Sequence, residues 1–223
     1  MSAGGGIGQS LLNAARSAAP DRVSHRHSDG TPDLGAADTV GPNAIIQTRA
    51  ALIETEGVVR TRRLFVEAGI ADWYDEPPHS MVPAEAVHRL NSRLLASLDG
   101  STFDAVMRDA GHRTGHYILD NRIPGPAKAV LKLLPAPLAA RMLLKAIRSN
   151  SWTFAGQAEV AVTPGHPALI EIVGNPLPMP GCPWHSAVFE TLFSTLLCRP
   201  VHVTHRILGV RERLDRFELR WRD

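Results

Sequence analysis

The spacing of apolar residues divides the chain into a helical part and a part that mixes strands with one helix. Between residues 43 and 150, apolar side chains recur every three or four positions, which predicts amphipathic helices facing a common core. Glycine and proline separate the helical stretches. The predicted helices cover residues 45–57, 58–68, 83–98, 101–123, 127–134 and 137–150.

Proline and capping residues set the expected helix ends. Pro77 and Pro78 exclude a helix from the loop at residues 72–83, whereas Pro83 suits the first turn of the helix that follows. Ser101, with Asp104 three positions later, predicts the start of the next helix. Two inward stripes are expected on these helices: Val87, Leu90, Leu94 and Leu98, then Phe103, Val106, Ala110 and Tyr117.

After residue 150 the pattern changes to the alternation of half-buried strands. Strands are predicted over residues 152–162 and 169–173, joined around Pro164 and Gly165, and again over residues 201–208 and 214–221. A helix is predicted between the two pairs, over residues 183–197. Helices followed by β-β-α-β-β indicate an α+β fold, with helices packed on one face of a four-stranded antiparallel sheet.

The 223 residues suffice for a single domain with its own hydrophobic core, expected over residues 41–223. Residues 1–40 are rich in Gly, Ala, Ser and Asp, and they carry too few large apolar groups to offset the entropy of ordering. We therefore expect a disordered arm there. The first forty residues contain no apolar run of signal-peptide length, and no segment reaches the length of a spanning helix, so at most peripheral membrane contact is expected. The two widely separated cysteines favour a reduced, cytoplasmic protein.

Charge is distributed unevenly, although the formal net charge is only +2. No acidic residue occurs between residues 121 and 158, which predicts an anionic partner such as carboxylates, lipid headgroups or an acidic protein surface. A solvated basic helix face is the ordinary alternative. Nucleic acid is not expected, because the cations are not interleaved with aromatic residues. The cations of this stretch are Arg122, Lys128, Lys132, Arg141, Lys145 and Arg148.

A long series of short sequence blocks resembles one known family. The two largest blocks are AGHRTGHYILDNRIP at residues 110–124 and CPWHSAVFETLF at residues 182–193. Shorter blocks complete the match: GPNAI at 41–45, KLLP at 132–135, LAAR at 138–141, AI at 146–147, WTFAG at 152–156 and NPL at 175–177. Because these blocks cover most of residues 41–223, the chain resembles the 4-vinyl reductase (J protein) family of bacteriochlorophyll synthesis.

The resemblance implies a small α+β domain that holds a hydrophobic ligand between helices and sheet, often as a homodimer. The same domain is shared with ligand sensors of aromatic-responsive regulators and is related to small subunits of a vesicle-tethering particle. The family is linked to reduction of the 8-vinyl (formerly 4-vinyl) group of a chlorophyllide precursor. It would act either as the reductase itself or by presenting a magnesium porphyrin to pathway enzymes such as Mg-chelatase or a methyltransferase.

One departure from the wider domain family concerns metal. Its sensor members carry a C-terminal zinc site built from cysteines and an acidic residue, whereas the corresponding positions here hold Thr204, Ile207 and Asp215. A thiolate-rich zinc site is therefore not expected, and no resident metal is assigned. Cys182 and Cys198 are too far apart for a CxxC unit and are expected to be buried small apolar groups.

Binding a magnesium tetrapyrrole requires an apolar cleft, an axial ligand and cations for the propionates. His112 and His116, four apart on one helix face, and His185 could supply the ligand, although Mg²⁺ prefers oxygen and water would serve equally. Arg113 and Arg122 could pair with carboxylates. The remaining candidates are Tyr117, Trp152, Phe154, Trp184 and Phe189. The ordinary alternatives are surface histidines, arginines in ion pairs and aromatic rings packed in the core.

Three functions stay open from the sequence. No dinucleotide fingerprint, P-loop or cluster-type cysteine spacing occurs, and redox chemistry is normally carried by a cofactor. This favours a non-catalytic carrier of a Mg-porphyrin or chlorophyllide intermediate over the vinyl reductase itself. A small hydrophobic-ligand sensor or scaffold domain is the third possibility.

Overall fold

The computed structural model describes residues 38–209 and 213–222. The predicted disordered arm at residues 1–40 lies outside these residues except at its end, where the prediction is wrong. Thr39–Val40 forms a short strand, β1, which pairs antiparallel with β2 (Val82–Pro83). A strand partner supplied from a distant part of the chain, which local composition does not reveal, orders this segment.

Eight helices and a four-stranded sheet follow β1 in the described part of the chain. The helices are α1 (Asn43–Glu67), α2 (Asp72–Asp75), α3 (Ala84–Ser97), α4 (Gly100–Asn121), α5 (Gly125–Leu133), α6 (Ala136–Ser149), α7 (Trp152–Ala155) and α8 (Pro183–Leu197). The strands are β3 (Glu159–Thr163), β4 (Ala168–Val173), β5 (Val201–Leu208) and β6 (Leu214–Trp221). All neighbours in the order β3-β4-β6-β5 are antiparallel, which confirms the predicted α+β class.

The break predicted at Gly57 is present as a sharp kink within α1. Gly57 has φ 79° and ψ 165°, a conformation that L residues other than glycine rarely adopt. The Thr61 hydroxyl donates to the Gly57 carbonyl at 2.8 Å, so the second half of the helix restarts directly after the kink.

The start of α4 differs by two residues from the prediction. Asp99, rather than Ser101, is the N-cap, because one Oδ1 atom accepts from the backbone N–H of Ser101 and of Thr102, each at 3.0 Å. These hydrogen bonds, together with those from the Ser101 and Thr102 hydroxyls, hold the pKa of Asp99 well below its usual range. In the inward stripe that follows, Phe103, Val106 and Ala110 are buried, whereas Tyr117 is only half-buried.

The strand predicted over residues 152–162 begins only at Glu159, and Trp152 and Phe154 lie instead on the one-turn helix α7. Tertiary hydrogen bonds explain the difference. The Gly41 N–H donates to the Thr153 carbonyl at 2.7 Å, and the Gln157 N–H donates to Asp38 Oδ1 at 2.8 Å. The β1 segment therefore fixes this stretch in a turn, and local alternation of aromatic residues does not decide its structure.

α8 is the central element of the fold. Twelve of its fifteen residues are buried, so it is covered on all sides: by the sheet on one side and by α4 on the other. Ile170, Ile172 and Phe217 are fully buried on the sheet surface facing the helices. The opposite sheet surface carries polar pairs such as Arg216 with Glu171 at 2.8 Å. This arrangement confirms helices on one face of the sheet.

Two glycines allow α4 to approach α8 closely. A Cβ atom on Gly111 would collide with the Trp184 carbonyl oxygen and lie 2.7 Å from Ala187 Cβ. A Cβ atom on Gly115 would lie 2.6 Å from Thr191 Cβ. Ordinary side chains at either position would therefore force the two helices apart.

We predict that Gly111→Ala and Gly115→Ala each lower the free energy of unfolding by about 1–3 kcal/mol, because overpacking displaces a backbone or a β-branched residue. Urea denaturation followed by circular dichroism measures the change. Gly100→Ala on the same helix is the matched control, because nothing lies within 4 Å of its added Cβ. Equal stability of the Gly111 and Gly100 variants would contradict the close crossing.

Candidate functional site

His185, on the first turn of α8, lies inside a cluster of aromatic rings. The side chain is 1% exposed, and its ring centroid lies 5.0 Å from that of Trp184 and 5.8 Å from that of Phe217. Phe154 and Phe189 complete the cluster at 6.2 and 6.4 Å. We call these five residues the His185 cluster. It brings together four of the ten sequence candidates and adds Phe217.

The imidazole of His185 is neutral and only weakly bonded. Nε2 lies 3.5 Å from the Phe154 carbonyl oxygen, at the limit of a hydrogen bond, and buried Nδ1 has no hydrogen-bond partner in the described residues. Burial lowers the pKa of His185 to about 4, against smaller opposing effects of Phe154 and Asp215. The ring therefore offers an uncharged nitrogen inside an apolar, aromatic environment, which is the form of histidine that binds metals.

A buried ionic network lies beside the His185 cluster, on β6 and β5. Asp215 is fully buried, and its Oδ1 accepts from His205 Nε2 at 2.7 Å, while Oδ2 accepts from Arg213 Nε at 2.8 Å. Burial alone would raise the pKa of Asp215, but the hydrogen bonds from His205 and Arg213 outweigh it and hold the pKa well below its usual range. The carboxylate is thus a permanent buried anion with two partners.

Cys182 joins this network as a neutral thiol. Its Sγ lies 3.8 Å from Asp215 Oδ1, and burial, followed by the Asp215 charge, raises its pKa to about 12. The ligand atoms of Cys182, His205 and Asp215 all lie within 4.8 Å of one another, and such sulfur, nitrogen and oxygen donors suit zinc. A metal here would have to displace the Arg213 guanidinium and deprotonate the Cys182 thiol. The expected absence of a resident metal stays a prediction.

The other cysteine and the two other aligned positions are exposed. Cys182 is buried as predicted, but the expectation for Cys198 is wrong because this residue lies at the end of α8 with its side chain in solvent. Thr204 and Ile207 lie on β5 with exposed side chains. Of the three aligned positions, Asp215 is the one that enters the buried network.

His112 on α4 is held in one tautomer by a residue of α8. Its Nδ1 lies 2.9 Å from Thr191 Oγ1, and the Thr191 hydroxyl already donates to the Ala187 carbonyl at 2.8 Å. Thr191 must therefore accept from His112 Nδ1–H. The residue is exposed, and its Nε2 lone pair is left available on the outer surface of α4.

The remaining α4 candidates lie outside the core, away from the His185 cluster. Arg113 is bound by Asp109 and Glu54, each at 2.7 Å, so its guanidinium is already engaged by two carboxylates. The hydrogen bond that Arg113 donates to Asp109 is the main cause of the raised pKa of Arg113. His116 is exposed, and the Arg122 guanidinium lies 5.9 Å from the centroid of the half-buried Tyr117 ring. Trp152, also half-buried, lies on α7 next to Phe154.

Comparison with curated proteins gives two relatives that cover most of the chain. The "Bacteriochlorophyll synthase 23 kDa chain" of Cereibacter sphaeroides is 40% identical over 167 residues, covering 72% of this chain and 80% of the relative. The protein of the same name from Rhodobacter capsulatus is 38% identical over 169 residues, covering 74% and 78%. This chain belongs to the bacteriochlorophyll synthase 23 kDa chain family. The resemblance to the J protein family is thereby confirmed, although no family model matches the chain.

Solved structures resemble this member of the 23 kDa chain family in fold. A structure from a study of heme distortion in the H-NOX family has a TM-score of 0.52 and 11% identity, covering 82% of this chain and 96% of that one. A single-site mutant of T. tengcongensis H-NOX has a TM-score of 0.53 and 10% identity, covering 82% and 97%. At this identity the likeness establishes a shared fold.

This 23 kDa chain family member has a small void beside Trp184. The void has no room for a water molecule, whereas small-molecule pockets typically measure roughly 300–1,000 Å³. Asn91 Oδ1 and Trp184 Nε1 line it, and both are buried without a hydrogen-bond partner in the described residues. Separately, none of the described helices is both long and apolar enough to span a bilayer.

Sequence reasoning missed several of these residues. Phe217, His205 and Asp215 lie on the two last strands, whose bounds were predicted correctly but to which no ligand-binding residue was assigned. The residue alternation of β6 was available as a signal, because Asp215 shares one strand face with Phe217, Leu219 and Trp221. An aspartate at an inward position of an apolar strand indicates a buried partner, although the sequence does not indicate which one.

We predict that His185 makes this protein less stable as pH falls from about 6.5 to about 4. In that range the unfolded chain gains a proton at His185 and the folded chain does not, so the free energy of unfolding falls by about 1.4 kcal/mol per pH unit. Urea denaturation at several pH values measures this slope.

His185→Gln should reduce the slope between pH 6.5 and 4, whatever its effect on absolute stability. His112→Gln, at an exposed histidine, is the comparison variant. The low-pKa Asp215 contributes a separate loss of stability below its unfolded value of 3.8. An unchanged slope in His185→Gln would contradict a neutral buried imidazole.

Proposed function

We propose that this protein takes part in bacteriochlorophyll synthesis by binding a magnesium porphyrin or chlorophyllide intermediate and presenting it to pathway enzymes. The names of its relatives support the pathway, and its fold is one that H-NOX proteins, named in connection with heme, also use. The observation that carries the ligand assignment is the neutral His185 imidazole, whose Nδ1 has no partner in the described residues inside a ring of aromatic side chains.

The chemistry of the His185 cluster suits a flat aromatic macrocycle. Phe189 contacts Phe154 and Phe217 edge to face, at centroid distances of 5.8 and 5.3 Å, so the three rings offer faces and edges at several angles. A neutral imidazole can bind Mg²⁺ as a fifth ligand, although oxygen ligands compete. Apolar surroundings favour the macrocycle itself over water.

Entry of a tetrapyrrole would require the core to open, and α7 is the short element that places Phe154 against His185. This helix has four residues, and Trp152, Thr153 and Phe154 on it are half-buried. It is held by the hydrogen bond from Gly41 and, just beyond it, by the bond from the Gln157 N–H to Asp38. Displacement of α7 would remove Phe154 from the imidazole and expose one side of the cluster.

The exposed His112 provides a second place where a tetrapyrrole metal could be bound. Its fixed tautomer presents Nε2 outward, so coordination there needs no opening of the core. Arg113 is occupied by two carboxylates, and this leaves the α4 surface with fewer free cations for the propionates. We therefore favour His185 and use His112 as the competing site.

We predict that titrating the purified protein with Mg-protoporphyrin shifts the Soret band to the red and quenches tryptophan fluorescence, because Trp184 lies next to the ligand. His185→Gln should weaken binding by roughly tenfold or more, and should reverse the shift that coordination causes. His112→Gln and the exposed His202→Gln are matched controls. Loss of binding in His112→Gln alone would move the site to the α4 surface, and no spectral change in any protein would refute the proposal.

The vinyl reductase is the second candidate, and product analysis separates it from the carrier. Purified protein, divinyl substrate and a reductant should give no monovinyl product if this chain only presents the pigment. Product that forms when other pathway proteins are added, and that forms more slowly with His185→Gln, supports presentation. Product from this chain and NADPH alone would establish catalysis instead.

A further inference from the structure

α6 presents two faces of opposite character. Its inward face is buried and consists of alanine, leucine and isoleucine side chains. Its outward face carries an exposed leucine near the start and then three exposed cations at helical spacing. The outward residues are Leu138, Arg141, Lys145 and Arg148. They extend along one stripe of about 15 Å, since an α-helix rises 1.5 Å per residue.

These cations differ from most arginines elsewhere in the described chain in having no carboxylate partner. On α1, α3 and α4, for example, Arg62, Arg93 and Arg113 each contact a carboxylate at 2.7–2.8 Å. By contrast, no ion pair forms at Lys132, Arg141, Lys145 or Arg148 within residues 38–209 and 213–222. No acidic residue is available in the sequence between residues 121 and 158 to pair with them. The positive charges of the stripe are therefore not neutralised by carboxylates of the described residues, and they attract anions.

Large apolar side chains are exposed at the corner where α5 meets α6. Leu133, the last residue of α5, is 86% exposed, and Leu138 is 46% exposed. The exposed Lys132 precedes Leu133 in the sequence, and the exposed Arg141 follows Leu138 by three positions on the same helix. Exposed leucines next to unpaired cations are the combination found on helices that lie in a membrane interface, where the apolar groups insert and the cations meet lipid phosphates.

We propose that the surface formed by Lys132, Leu133, Leu138, Arg141, Lys145 and Arg148 docks the protein onto anionic phospholipid bilayers. Charge complementarity selects an anionic surface, and the leucines select one with an apolar interior over an acidic protein. The cations of α6 are exposed along the helix while the opposite helix face is buried, so they are accessible to a membrane surface. This proposal does not depend on tetrapyrrole binding, because the residues lie outside the His185 cluster.

Sedimentation with vesicles tests the proposal on the full-length protein. Binding should be strong to mixed phosphatidylcholine–phosphatidylglycerol vesicles, weak to phosphatidylcholine alone, and should fall as salt is raised. Arg141→Gln/Lys145→Gln should weaken binding to the anionic vesicles by roughly 25-fold. Arg63→Gln/Arg206→Gln, which changes the net charge equally on α1 and β5, is the matched control and should bind nearly as the unmodified protein does.

The leucines require their own variant, because cations alone would bind any anionic surface. Leu133→Ser should weaken vesicle binding severalfold without lowering stability, since this side chain is mostly in solvent already. Equal binding to neutral and anionic vesicles, equal losses in the two double variants, or no vesicle binding at low salt would each overturn the proposal. An acidic protein bound by this surface in place of vesicles would overturn it as well.

Discussion

The close crossing of α4 and α8 is the contact on which the rest of the domain depends. Gly111 and Gly115 let the α4 backbone reach α8, and α8 lies on the sheet with Phe189 against Phe217 at 5.3 Å. Protein interiors are packed about as densely as organic crystals and contain few voids, so little space remains between α4, α8 and the sheet. The contact that stabilises the fold therefore also leaves little space around the His185 cluster, and the proposed ligand binding would require displacement of a covering element such as α7.

Two kinds of polar group are buried in this core, and they differ in how the free-energy cost of their burial is offset. Asp215 keeps its charge because His205 and Arg213 both bind it, so the network is satisfied. His185 has no comparable partner and remains neutral, as burial lowers its pKa to about 4. An incompletely bonded group in a stable core costs free energy, and such groups are concentrated at functional sites. This contrast separates the structural network from the candidate site.

The His185 cluster lies in the interior of the molecule, and the unpaired cations lie on its surface. The aromatic cluster is enclosed by the sheet, α8 and α7, whereas the unpaired cations lie on the outside of α6. α6 packs against both α8 and β3 with its opposite face. A protein oriented on a membrane through α6 would hold its ligand site at a fixed position relative to the bilayer, which is a useful property for handling a hydrophobic pigment.

The sequence by itself determined the fold class, the bounds of α8, β5 and β6, and the break at Gly57, because these follow from periodicity and local backbone chemistry. The family also followed from its sequence blocks. Tertiary structure decided that residues 39–40 form a strand, that Trp152 and Phe154 lie on a helical turn, and that Arg113 is paired. It also placed the Phe217 ring against the His185 ring. These outcomes depend on partners distant in the chain, and local sequence contains no information about which partner arrives.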